Sequence, residues 1–239
     1  MTMTRPVAGE IIAVTTTTFT AQSGALNEAP AFGSLLRVAN PRRKAGGPGI
    51  AAYYALCYGS QTGSIEPGRH AVAWGRFEDD EEDIYQRQPQ LAQVLRTTFD
   101  ALLVGYEMET PALPVSPADL GDAAITVLNG AVMAAVGDTV APAPVQRVPA
   151  APPRLHALVC QATPVETARF NQNLTYLRFV LRANLPLADD FIAAAIRHAY
   201  EASGCDESFL LDAARTVARL LGAEHERVMN ILELLDDQG

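Results

Sequence analysis

The sequence predicts an α+β protein: an N-terminal antiparallel β-barrel-like module followed by a C-terminal small helical bundle. Three observations carry this reading. Short runs rich in β-branched and aromatic residues, punctuated by Gly- and Pro-containing turns, fill residues 10–108. A Pro/Ala tract, APAPVQRVPAAPP, ends the middle of the chain and favours an extended connection. From Pro164 onward the apolar spacing changes from about two to about 3.6 residues. The division that follows is 9–110 for the barrel-like module, 111–153 for an irregular Pro/Ala-rich connection, and 154–239 for a mainly helical module.

Glu10 to Ala21 (EIIAVTTTTFTA) reads as one strand, because it is dense in β-branched residues and interrupted by neither Gly nor Pro. SLLRVA at 34–39 is a second. PRRKAGGPG at 41–49 is a turn or loop. IAAYYALCY at 50–58 is short and continuously apolar, as a strand buried on both faces would be. A polar Gly/Ser turn is expected next, then a strand over Ala71 to Phe77. EDDEED at 78–83 must be solvated, and Gln88 to Leu95 suits one or two helical turns. Thr97 to Met108 is a further strand, with Gly105 marking a bulge or a close approach. Between Pro111 and Pro153 only brief apolar pieces, AAITVL and AVMAAV, stand out. Leu155 to Cys160 is a last strand-like run.

Four helices are expected beyond it. Thr163 caps the first, with Pro164 at its first position, and Phe170, Leu174, Leu177 and Leu181 share one face. Asp189 or Asp190 opens the second, and Phe191, Ala194, Ala195, Ile196 and Ala199 form its stripe. Asp206 caps the third and Gly222 ends it. Val228, Ile231, Leu232 and Leu235 define the fourth. Short turns between such helices imply a bundle or antiparallel hairpins.

The bulk composition narrows the chemistry. The chain is 49% hydrophobic and 19% charged, ordinary for a protein with a real core. Eighteen Lys and Arg face twenty-seven Asp and Glu, so a phosphate-neutralising surface has little to draw on, and the Arg42-Arg43-Lys44 run is its one starting point. Direct nucleic-acid contact is therefore not expected. No apolar run approaches the roughly 18 residues of a membrane span, and MTMTRPVAGEIIAV lacks the apolar core of a secretory signal. A cytoplasmic protein away from membranes is the simplest expectation. Cys57, Cys160 and Cys205 are odd in number and far apart, which speaks against a disulfide framework or a zinc ribbon.

The sequence carries no complete catalytic pattern. AGGPGIAA at 45–52 has a P-loop's glycines without its lysine, and Pro48 removes a donor. Asp79, Asp80 and Asp83 are weak metal candidates, because carboxylate oxygens suit hard cations, but the Gly of a calcium loop is missing and a solvated acidic loop or a patch for a basic partner is the favoured reading. His156 and Cys160 form the sole dyad spacing; His198, beside an apolar stripe, reads as structural. No cofactor is implied.

The motifs themselves resemble a known family. GEIIAVTTTTFTA, the strand pair after it and YYALCYG resemble the opening of a HAS-barrel, a small β-barrel shared by HerA-type DNA-translocating ATPases and ATP synthase subunits. GRFEDDEEDIYQRQ at 75–88, FDALLVGY at 99–106 and PPRLHALV at 152–159 are similar to pieces of stand-alone bacterial HAS-barrel proteins. The resemblance spans residues 9 to 160. It implies a barrel used for docking or oligomer contacts, without the ATPase core, since no P-loop follows and no catalytic residue can be carried over.

The functional expectation is thus a docking, adaptor or oligomerisation protein acting on a protein partner or on copies of itself. The alternative is a small-ligand or metal-dependent enzyme with a site between the two modules. For the first, Glu233, Asp236 and Asp237 are the candidate interaction residues. From 187 to 239 eleven Asp and Glu face four Arg, and these three acids lie near a helix C-terminus, where the macrodipole disfavours negative charge.

Overall fold

The computed structural model describes residues 6–40, 49–66, 68, 70, 73, 81–109 and 143–236. Six antiparallel strands close into a barrel: β1 (Val7–Val14), β2 (Thr18–Ser23), β3 (Leu35–Ala39), β4 (Ile50–Ser64), β5 (Leu95–Met108) and β6 (Leu158–Gln161), in the order β1-β2-β5-β4-β3-β6. Two short helices, α1 (Glu81–Arg87) and α2 (Leu91–Val94), precede β5. Five more follow the barrel: α3 (Pro164–Phe170), α4 (Leu177–Arg182), α5 (Ala188–Ala202), α6 (Glu207–Leu221) and α7 (His225–Asp236). The predicted α+β class, barrel first and helices second, is the architecture observed.

Several boundaries differ from the expectation, each for a local reason. EIIAVTTTTFTA is not one strand but a β1–β2 hairpin. The turn is made by Thr15, whose hydroxyl accepts hydrogen bonds from the backbone N–H groups of Thr17 and Thr18, so a β-branched residue here serves as turn chemistry. β4 does not stop at Tyr58; it runs through the expected Gly/Ser turn to Ser64, where Ser64 still pairs with Leu95. The segment Glu81–Asp83, expected as solvated loop, begins α1. The expected strand at 71–77 lies almost wholly outside the described residues, as do most of 111–153 and the 41–48 loop.

β6 belongs to the barrel although it follows the Pro/Ala tract. It pairs with β1 on one side and β3 on the other, so the two strands that would otherwise end the sheet have no free edge. The barrel therefore takes residues from the stretch first grouped with the helices.

Side-chain alternation along β4 and β5 explains their continuous apolarity. Tyr53, Ala55 and Cys57 on β4, with Phe99, Ala101 and Leu103 on β5, fill the barrel interior together with Ile11, Phe19, Leu36, Val38 and Val159. Tyr54 and Leu56, with Leu102 and Val104, point outward and join Leu35 in a second core built with Phe170, Tyr176, Leu177, Phe191 and Ile196 of the helical region. The helices are a layer laid on the outer face of β3, β4 and β5, and the expected two-sided burial of IAAYYALCY is the consequence.

The first expected helix is two. Between α3 and α4, Asn171 donates to the Thr167 carbonyl and accepts from the Tyr176 hydroxyl, and the Asn173 carboxamide accepts from the Thr175 N–H. Such side-chain bonds compete with helical ones. Gln146 then takes up the break: its amide donates to the carbonyls of Phe170 and Asn173, and its carbonyl oxygen accepts from the Tyr176 N–H. Gly105 is a close approach, as expected. A Cβ there would lie 2.7 Å from the Val145 carbonyl oxygen and 2.9 Å from the Phe170 ring, and the β4–β5 register shifts beside it. Thr163, Asp206 and Gly222 perform their expected capping roles. α5 begins one residue ahead of Asp189, with both Asp189 and Asp190 in its first turn.

Replacing Leu177 or Phe191 with Ala should cost about 2–5 kcal/mol in urea unfolding, because each is fully buried in the shared core. Leu211→Ala, at a side chain 54% exposed on α6, should change stability by less than about 0.5 kcal/mol. Burial pushes the Cys57 thiol up to about 11, so iodoacetamide at about pH 8 should alkylate exposed Cys205 and spare Cys57 in the native protein, as read by peptide mass spectrometry.

Candidate functional site

Polar chemistry in the described structure concentrates where α3 meets the barrel. Arg37 on β3 and Tyr54 on β4 are register partners on the outer face, and Glu107 on β5 joins them. Glu107 is 8% exposed. Its carboxylate accepts from Arg169 Nη2 at 3.0 Å and from the Tyr54 hydroxyl at 3.4 Å, and lies 3.5 Å from Arg37 Nη2. Arg37 Nε in turn lies 3.2 Å from Glu166 Oε1, an ion-pair contact without hydrogen-bond alignment. The other Glu166 oxygen accepts from the Thr163 N–H at 3.0 Å and completes the capping box of α3. One carboxylate thus starts the helix and ties it to the sheet. Burial, and then the Glu107 charge, hold the Tyr54 phenol above its ordinary pKa, so it remains a donor. Two arginines face two glutamates, a balanced cluster that positions the helical layer on the barrel.

The residues singled out in the sequence are dispersed. Asp83 is exposed on α1, while Asp79 and Asp80 lie outside the described residues. Among the described residues no group of three His, Cys, Asp or Glu is placed to hold a metal ion. Glu233 and Asp236 are exposed on α7, and Asp237 is outside the described residues, as are Arg42, Arg43 and Lys44. His156 is not part of a strand: it sits in the turn before β6 at φ +65°, with Nδ1 2.6 Å from Glu10 Oε1. Strand alternation therefore does not join it to Cys160. His198 on α5 has its Nε2 3.1 Å from the Phe32 carbonyl oxygen.

Several acids of the C-terminal helices have local tasks. Asp189 is held by Arg227, Nη2 to Oδ1 at 2.6 Å, which fastens α5 to α7. Glu224 also pairs with Arg227, and Asp212 with Arg215. An apolar core fills most of the junction between barrel and helices. At its margin lies a recess of about 350 Å³ lined in part by Ser34, Thr167, His198 and Glu201.

Arg37, Tyr54, Glu107 and Arg169 are not among the residues that the sequence motifs single out. A signal was present: Arg37 and Glu107 are lone charges inside otherwise apolar strand runs, and a charge buried in a sheet needs a partner. What defines the molecule is a closed six-stranded antiparallel barrel roofed on one side by helices and clamped by a partly buried charge cluster. Compared with models of known protein families and with curated proteins, the chain matches none. No helix among the described residues is long and apolar enough to cross a membrane.

Glu107→Gln leaves two arginines facing a neutral group. Because Arg37 and Arg169 retain partial exposure, the expected loss is about 2–3 kcal/mol, below the 3–5 kcal/mol of fully buried pairs. Arg215→Ala, which breaks an exposed ion pair, should cost less than about 1 kcal/mol. Urea unfolding of both variants checks the contrast.

Proposed function

We propose that the chain is a non-catalytic docking or oligomerisation protein built on a HAS-barrel-like module, cytoplasmic, and acting through its protein surfaces. The observation that carries this reading is the filling of both interiors. The barrel lumen is occupied by side chains such as Phe19, Leu36, Phe99 and Leu103, and the junction with the helices is a second apolar core. Closed small barrels of this kind are packed bodies, not containers. A body so filled offers its outer surface to partners. The span of the family resemblance, residues 9 to 160, also coincides with the strands of the barrel, which run from Val7 to Gln161.

Glu233 and Asp236 are the candidate contact residues, with Asp237 beside them in sequence. Both described acids are exposed near the end of α7, and no basic residue lies in its last turn. Negative charge at a helix C-terminus costs a few tenths of a kcal/mol per group, which a cationic surface of a partner or a second copy would offset.

The test is the triple variant Glu233→Gln, Asp236→Asn, Asp237→Asn, compared with the native chain by sedimentation velocity, native mass spectrometry and thermal unfolding. The expected result is a self-associated native protein, and a variant that is equally or more stable yet dissociates. A strictly monomeric native chain with no reproducible partner contradicts the proposal. A more stable variant with unchanged assembly removes these three residues from the interface.

A further inference from the structure

A cavity of about 510 Å³ opens where the end of β3 meets the turn leading into β6. Its volume lies within the about 300–1,000 Å³ of small-molecule sites. Pro153, Leu155 and Leu158 supply apolar wall, and Asn40, Tyr53 and Arg154 supply polar groups. Leu155 and Leu158 are each more than half exposed, which leaves apolar surface that a ligand would cover. The wall is fixed in place, because the His156 N–H donates to the Ile11 carbonyl and the Ile11 N–H to the Ala157 carbonyl, stitching the turn to β1.

The polar groups are not equivalent. Asn40 Nδ2 already donates to the Ile50 carbonyl at 3.0 Å. Glu10, the acid of this neighbourhood, is engaged by His156. Among the described residues the Arg154 guanidinium has no ion pair and the Tyr53 hydroxyl no hydrogen bond; the hydroxyl is not one of the fully buried unpartnered atoms, so it is open to the cavity. Burial raises the Tyr53 pKa and the Arg154 charge opposes that rise, so the phenol is a protonated donor within the field of the guanidinium. Two unused donors, with no Asp or Glu among the described lining residues, select an anion. Apolar walls, with Arg154 the one Lys or Arg among the described lining residues, select a carboxylate on an aliphatic body over a phosphate, which recruits more donors.

We propose that this cavity binds an aliphatic monocarboxylate, with its head on Arg154 and the Tyr53 hydroxyl and its chain against Leu155 and Leu158. The site is independent of the α7 acids and of any assembly through them.

Octanoate is the probe, titrated into the full chain by calorimetry and followed by amide chemical shifts. One saturable site with a sub-millimolar Kd is expected, with shifts centred on Tyr53 and residues 154–158. Octan-1-ol, lacking the charge, should bind at least about tenfold more weakly, and so should octanoate to Arg154→Met. Arg154 is exposed, so this variant should keep the native circular dichroism; the octan-1-ol comparison stands without any variant. No saturation by about 5 mM, equal affinity in Arg154→Met, or shifts centred elsewhere would overturn the proposal. None of these readings depends on oligomeric state, so a failure here leaves the docking function untouched, and the reverse holds too.

Discussion

The outward faces of β4 and β5 are apolar, and a barrel cannot leave such a surface in water without cost. Tyr54, Leu56, Leu102 and Val104, with Leu35 beside them, are covered by Phe170, Leu177, Phe191 and their neighbours. At about 2 kcal/mol for each large apolar side chain removed from water, the five barrel residues account for about 10 kcal/mol. That is comparable to the entire net stability of a typical protein, about 5–15 kcal/mol. The helices are therefore part of the condition for the barrel to exist in its observed form. The inner faces of the same strands make the complementary demand, so β4 and β5 serve two cores at once.

The charge cluster refines what apolar burial leaves loose. Hydrophobic contact is non-directional, and a helical layer could slide over a smooth sheet face. Arg37, Glu107, Arg169 and Glu166 allow one arrangement in which every charge is paired. Because Glu166 also completes the capping box, the start of α3 and its position on the barrel are set by one side chain. Gln146 does a similar service at the α3–α4 break, and Arg227 fastens α7 to α5 through Asp189. Burying ions seldom adds net stability; its effect here is to specify a geometry.

What could be read from the sequence was whatever had a local cause. The helical region from Pro164, the caps at Thr163 and Asp206, and the stop at Gly222 are encoded within a few residues. The two-sided burial of IAAYYALCY was legible because a continuous apolar run has few other uses. Tertiary partners were not legible. β6 could not be assigned to the barrel from LVCQ alone, since its role is to pair with strands more than a hundred residues away. The break after Phe170 depends on Gln146, which local periodicity cannot see. The cavity beside β6 went unread for the same reason, because Tyr53 and Arg154 are a hundred positions apart and join only through barrel closure.

Barrel and helices should accordingly open as one cooperative unit, and native-state hydrogen exchange in increasing urea tests this most directly. Amides of β4, β5 and the buried face of α5 should reach a common opening free energy and lose protection at the same denaturant concentration. Exchange of α5 and α7 at urea concentrations where β4 and β5 remain fully protected would show that the barrel stands without its helical roof. That result would contradict the shared core as the interaction on which the structure depends.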